Sequence, residues 1–173
     1  LERIKFYTTS GNETGITLKL FWDQKISPEV PFDRDRLRQV MNNLLSNAFK
    51  YTPKGGTVSV ECFLHKAGAD LGQEALALGF PWISESANRT SAPLPDSVVV
   101  GVTDTGEGVS QENIDKLWNK FIQFVSTVRK GDDHKGTGLG LVIIQGIVEA
   151  HGGTVGLGSK IGKGSTFYFT LPL

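Results

Sequence analysis

The chain has 173 residues, with 18 Lys and Arg balancing 18 Asp and Glu. The length fits one domain with a sizeable core, and the charge balance leaves no net field to recruit nucleic acid or an anionic membrane. The single cysteine, Cys62, excludes an internal disulfide and any multi-cysteine metal site, and no apolar run approaches the roughly 18 residues of a membrane span. No signal peptide is visible, so the piece is expected to be soluble without direct membrane insertion. Opening on Leu1 rather than Met, it is expected to come from a longer chain.

In chain order, Arg3 to Thr9 and Ile16 to Phe21 read as short strands flanking the turn-rich Ser10-Gly11-Asn12. After Pro28 and Pro31, Asp33 is placed to cap a helix from Arg34 to Tyr51. Leu37, Val40, Met41, Leu44, Leu45 and Ala48 form its apolar stripe, and Asn43, Asn47 and Lys50 form a polar stripe at the same period. A helix that buries one face and aligns two carboxamides and an ammonium on another is suited to hold something polar. The helix stops before Pro53, and Lys54-Gly55-Gly56 turns into a strand from Thr57 to about Leu64.

Residues 65–96 show no sustained period apart from a helical turn or two at Glu74 to Leu78. Such a stretch is expected to be an excursion from the body, partly ordered or mobile, tacked down by Phe80 and Trp82. Ser97 to Thr103 is the clearest central strand and runs into Asp104-Thr105-Gly106-Glu107-Gly108. A short helix, about Gln111 to Trp118 with Ser110 as cap, precedes a mixed segment from Phe121 to Lys135. The next helix begins in Gly136-Thr137-Gly138-Leu139-Gly140-Leu141 and continues to Ala150, with Leu139, Ile143 and Ile147 facing a core. Strands at Thr154 to Leu157 and Ser165 to Leu171 close the chain around Gly162-Lys163-Gly164. The sum is a two-layer α/β sandwich, with three main helices on one face of a mixed sheet.

Two features point to chemistry. Asp104 ends a buried strand just before Gly106 and Gly108, so its carboxylate is fixed where it can accept from an exocyclic amino group such as adenine N6. Gly136 to Gly140 opens a helix, where free backbone N–H groups and the local dipole attract phosphate. The cluster lacks the ending of a P-loop and the framing of a dinucleotide fingerprint. None of His65, His134 and His151 carries a metal-site pattern, and His151 reads as a helix-end residue.

These stretches, in this order, resemble the catalytic ATP-binding domain of sensor histidine kinases, in the group shared with DNA gyrase B, the Hsp90 chaperones, MutL and the branched-chain dehydrogenase kinases. The resemblance rests on Asn43 through Pro53, Asp104-Thr-Gly-Glu-Gly108, Phe121, Gly136-Thr-Gly-Leu-Gly-Leu141 and Gly164-Ser-Thr-Phe167. It implies one Bergerat-type domain over 1–173, its sheet mixed but mainly antiparallel, with an atypical insertion at about 65–96 and a mobile ATP lid at about 109–136. It further implies ATP and Mg2+ as ligands. Asn47 is the implied metal ligand, Asn43 its polar neighbour one turn earlier, Lys50 a phosphate contact and Tyr51 the aromatic flank. Asp104 would read adenine beside Gly106 and Gly108. Phe121, Arg129, Gly136, Thr137, Gly138, Leu139 and Gly140 would serve the lid and phosphate side, and Thr166 the inner end of the adenine pocket. Gln123 departs from the arginine of many relatives, leaving Lys120 and Lys130 as nearby cations.

In the gyrase-like ATPases a glutamate stands at the place of Asn43 and activates water, a proton an amide cannot take. The resemblance therefore implies transfer to a protein acceptor: a histidine on a helical dimerisation domain of the same or a partner subunit, with a response-regulator receiver domain downstream. It implies a cytoplasmic domain of a homodimeric parent that is either membrane-anchored or not, with this fragment binding ATP as a monomer and turning over little. The competing readings are a related serine kinase antagonising a sigma factor and a binding-only module that keeps the fold.

Overall fold

The computed structural model describes residues 7–9, 11, 13–26, 31–83, 93–114, 116–117 and 139–173. Its longest helix, α1 (Arg34–Tyr51), starts where Asp33 is extended and its carboxylate accepts from the N–H groups of Asp35 and Arg36. Such a cap contributes about 1 kcal/mol, and Asp35 in the first turn and Lys50 in the last suit the helix dipole. The helix ends where Thr52 returns its hydroxyl to the Ala48 carbonyl and Pro53 holds the preceding residue out of helical geometry. Val40, Leu44, Leu45, Ala48 and Phe49 are buried along it.

The strands β1 (Thr17–Trp22), β2 (Thr57–His65), β3 (Ser97–Asp104), β4 (Val155–Lys160) and β5 (Gly164–Pro172) form a sheet in the order β1-β2-β3-β5-β4. Only the β1–β2 pair is parallel, because α1 carries the chain back between them; the other pairs are antiparallel. The valine-rich β3 is indeed central. The short α3 (Gln111–Ile114) and α4 (Gly140–Ala150) join α1 on one face. Val58, Val60, Val98, Val102, Phe169 and Leu171 meet them there as the main core. The mixed, mainly antiparallel sheet with these helices on one face is as expected.

The opposite face of the sheet is also covered. The helix α2 (Leu71–Ala77), capped by the Asp70 carboxylate on Gln73 N–H, lays Leu71 and Ala75 on it. Phe80 and Trp82 follow onto the same face, so the tacking-down expected of them occurs and the helical turns expected at Glu74 begin at Leu71.

Two local expectations are corrected. Tyr7, Thr8 and Thr9 are helical, not part of a strand from Arg3, and the Tyr7 ring packs 5.2 Å from that of Phe49. In α4 the buried positions are Ile144 and Val148, whereas Ile143 is exposed: the helix rests on the line of Leu141, Ile144, Ile147 and Val148. The helix is described from Gly140, and the expected start at Gly136 lies outside the described residues, as do Trp118 and the whole segment from Phe121 to Lys135. His151 does end α4: its Nδ1 lies 2.7 Å from the Ile147 carbonyl and its ring stacks on Phe32.

Candidate nucleotide site

The site grows out of the end of β3. Antiparallel pairing places Asp104 opposite Ser165, with both side chains on the α1 face. Asp104 is buried, and burial pushes its carboxyl up to about 6, partly offset by N–H donation from Gly106 and Ser165. The bond from Gly106 N–H to Asp104 Oδ1 is 2.8 Å and turns the chain sharply. Neutral pH therefore leaves a largely ionised acceptor in a low-dielectric position, which strengthens any hydrogen bond it receives.

The following loop is clamped on both sides. A Cβ at Gly106 would lie 2.4 Å from the Tyr51 carbonyl oxygen, at the end of α1. Gly108 has φ +74°, and a Cβ there would lie 2.3 Å from the Lys160 carbonyl oxygen. These glycines thus let the protein's own backbone close up around Asp104. The Gly162 N–H donates to Glu107 O and the Val109 N–H to Ser159 Oγ, fixing the loop to the β4–β5 turn.

Along α1, Asn43, Asn47 and Lys50 are all half-buried on one helix face, as their spacing requires. Lys50 Nζ lies 5.2 Å from the centroid of the half-buried Tyr51 ring, a cation–π distance. Asn43 reaches the other glycine cluster: its Nδ2 donates to Gly140 O at 3.4 Å. A Cβ on Gly140 would meet nothing nearer than Asn43 Cγ, at 3.9 Å, so room remains between the polar face of α1 and the start of α4. Leu139 caps α4 with no side-chain bond. The structure therefore brings Asn43, Leu139 and Gly140 together at the middle of α1, and Tyr51, Asp104 and Gly106 at its C-terminal end. Phe121, Arg129, Gly136, Thr137 and Gly138 lie outside the described residues.

Thr166 does not join this group. Strand alternation turns its side chain to the opposite face, where its hydroxyl lies 2.8 Å from that of Thr103 and accepts from Ile83 N–H. The hydroxyl beside Asp104 belongs to Ser165, which bonds to Ser159 at 2.8 Å. Residue parity across the β3–β5 pair is the signal that would have selected it.

The residues fit ATP with a hard divalent ion. A carboxamide oxygen on Asn47 is a suitable magnesium ligand, Lys50 supplies a cation on the same face, Asp104 is a fixed acceptor, and the space beside Gly140 adjoins Asn43, one turn before Asn47 on that face.

Comparison with known proteins bears on the fold and the family. The chain is 34% identical over 146 residues to the adaptive-response sensory kinase SasA of Synechococcus elongatus, covering 84% of this chain and 30% of that protein's length. The catalytic domain of histidine kinase ThkA superposes with a TM-score of 0.67 over 99% of this chain and 88% of that one; at 22% identity it shares the fold. Full-length ShkA, in complex with AMPPNP, superposes with a TM-score of 0.63 at 27% identity, over 97% of this chain and 28% of that one. Residues 32–173 match the histidine kinase-, DNA gyrase B- and HSP90-like ATPases, and the chain belongs to that family.

Proposed function

We propose that this chain is the catalytic and ATP-binding part of a sensor histidine kinase, which passes the γ-phosphoryl group of ATP to a histidine on a separate helical dimerisation domain. The observation that carries this reading is the convergence on α1. The Asp104 loop closes on the C-terminal end of that helix through Gly106 and Tyr51, and the start of α4 meets its middle, about two turns earlier, through Asn43 and Gly140. Its neighbours in sequence and structure are named as kinases, which supports the same class.

In this reading Asp104 accepts from the exocyclic amino group of the base, and its burial rejects bases that present an acceptor there. Asn47 holds magnesium, and Lys50 lies beside the phosphates. Magnesium, when bound, would neutralise phosphate charge and polarise the transferring group. The remaining work of the chain is to orient the nucleotide in line with an imidazole brought by the acceptor domain. Asn43 favours transfer over hydrolysis: its amide donates to the Gly140 carbonyl and has no basic atom to take a proton from water. We assign residues 109–136 to the lid and the stretch around 65–96 to an added layer on the family core. No helix among the described residues is long and apolar enough to cross a membrane.

The test is phosphotransfer to a supplied acceptor domain. Asn47→Ala should lower the transfer rate about a hundredfold, while binding of adenosine alone changes less than about threefold. Equal transfer rates for variant and parent would remove the metal role from Asn47.

A further inference from the structure

The face of the sheet turned away from α1 takes no part in the proposed chemistry, yet it carries an ordered polar chain beneath an apolar cover. Trp82 lies edge-on to Phe63, with ring centroids 5.5 Å apart, and tilted over Tyr168 at 5.2 Å. A Cβ on Gly101 would lie 2.6 Å from the indole, so the glycine leaves the space that the ring fills. Beneath it the Ile83 N–H donates to Thr166 Oγ1 at 2.9 Å. Thr166 Oγ1 lies 2.8 Å from Thr103 Oγ1, and Thr103 donates to Glu61 Oε2 at 3.1 Å. Ser59 holds the other oxygen of Glu61, whose side chain is fully buried.

This chain stands one residue out of step with the nucleotide site. The pairs Thr103↔Thr166 and Asp104↔Ser165 are successive rungs of the same antiparallel ladder, one facing each side of the sheet. A shift of β3 against β5 that moves Asp104 relative to Ser165 must also disturb the two threonines. An apolar cover alone would need no such polar chain. Buried polar groups with fixed partners select one strand register, and breaking them leaves unpaired groups in a low dielectric.

We propose that Thr103, Thr166 and the Ile83 amide form a positioning device that locks the rung behind Asp104 and couples the seating of the 71–83 layer to nucleotide affinity. The two faces are then linked reciprocally: nucleotide tightens the layer, and whatever grips or loosens the layer tunes nucleotide binding. None of the three groups lies on the sheet face that carries Asp104. This rests on Asp104 reading the base, so the test measures binding and coupling separately.

Amide exchange at Ile83 is followed in the unmodified 173-residue chain, with and without a saturating non-hydrolysable ATP analogue and magnesium. Exchange should slow about fivefold on binding. Thr166→Val keeps the volume but loses the hydroxyl, and should weaken analogue affinity about fivefold, whereas Thr166→Ser should stay within about twofold of the parent. If the analogue binds and Ile83 exchange is unchanged, the coupling is refuted. It is refuted equally if a folded Thr166→Val binds as tightly as the parent. A chain that binds no analogue at all overturns the nucleotide reading itself, and the coupling with it.

Discussion

Replacing Glu61 by Gln removes a buried ionisable group while keeping its shape and its capacity to accept and donate hydrogen bonds. Burial lifts the Glu61 carboxyl from 4.5 to about 7, against the smaller opposing effect of the Ser59 and Thr103 hydroxyls. Below pH 4.5 folded and unfolded chains both hold the proton. Between there and about 7 the folded chain keeps a proton that the unfolded chain has released, so stability falls as pH rises through this window. At 1.36 kcal/mol per pKa unit the loss is roughly 3 kcal/mol, complete above about pH 7. Glutamine does not titrate. Thermal unfolding at a series of pH values should show Glu61→Gln near the parent at pH 4.5 and more stable above pH 7. For a chain of this size, roughly 3 kcal/mol corresponds to a gap of about 6–12 °C in Tm. Asp104, also raised by burial, titrates in both proteins and drops out of the difference. A gap that does not grow with pH would refute the assignment of a buried, protonated Glu61.

The Asp104 loop makes a second prediction. Gly108→Ala imposes a side chain at φ +74° against the Lys160 carbonyl, so it should cost about 2 kcal/mol or more in chemical denaturation and weaken nucleotide binding with it. Asp33→Ala removes the cap of α1 while touching nothing in the site, and should cost about 1 kcal/mol in the same assay.

The sequence made α1 legible to the residue because three signals agreed there: an Asp cap, a 3.6-residue apolar period and a proline just past the end. The central place of β3 followed from its run of valines, which only a strand covered on both faces sustains. The second covering layer was only partly legible: Phe80 and Trp82 stood out as anchors for residues 65–96, but not the sheet face they cover. Ser59 and Glu61 alternate with valines in β2 as they would on a wet face, and nothing local tells that Trp82 and α2 return from another part of the chain to bury them. Thr166 was misplaced for a related reason. Matching a motif fixes a residue to within about one position, whereas strand parity reverses the side chain with each step. The glycines after Asp104 were recognised for their freedom, but their use is internal: they admit the Tyr51 and Lys160 carbonyls. Ile143 shows the limit of apolar spacing in a helix where several faces are apolar, since only packing against α1 and the sheet selects Ile144 and Val148.

The central claim is that Asp104 reads a purine base while the polar face of α1 holds its phosphates through magnesium. Calorimetric titration with a non-hydrolysable ATP analogue, run on the parent and on Asp104→Asn with and without magnesium, tests it most directly. Asparagine can still accept from Gly106 through Oδ1, but it presents an amide donor in place of the outer carboxylate oxygen. The account predicts binding by the parent that tightens with magnesium and falls about tenfold or more in Asp104→Asn. No binding by the parent in either condition, or equal affinity in the two proteins, would contradict it.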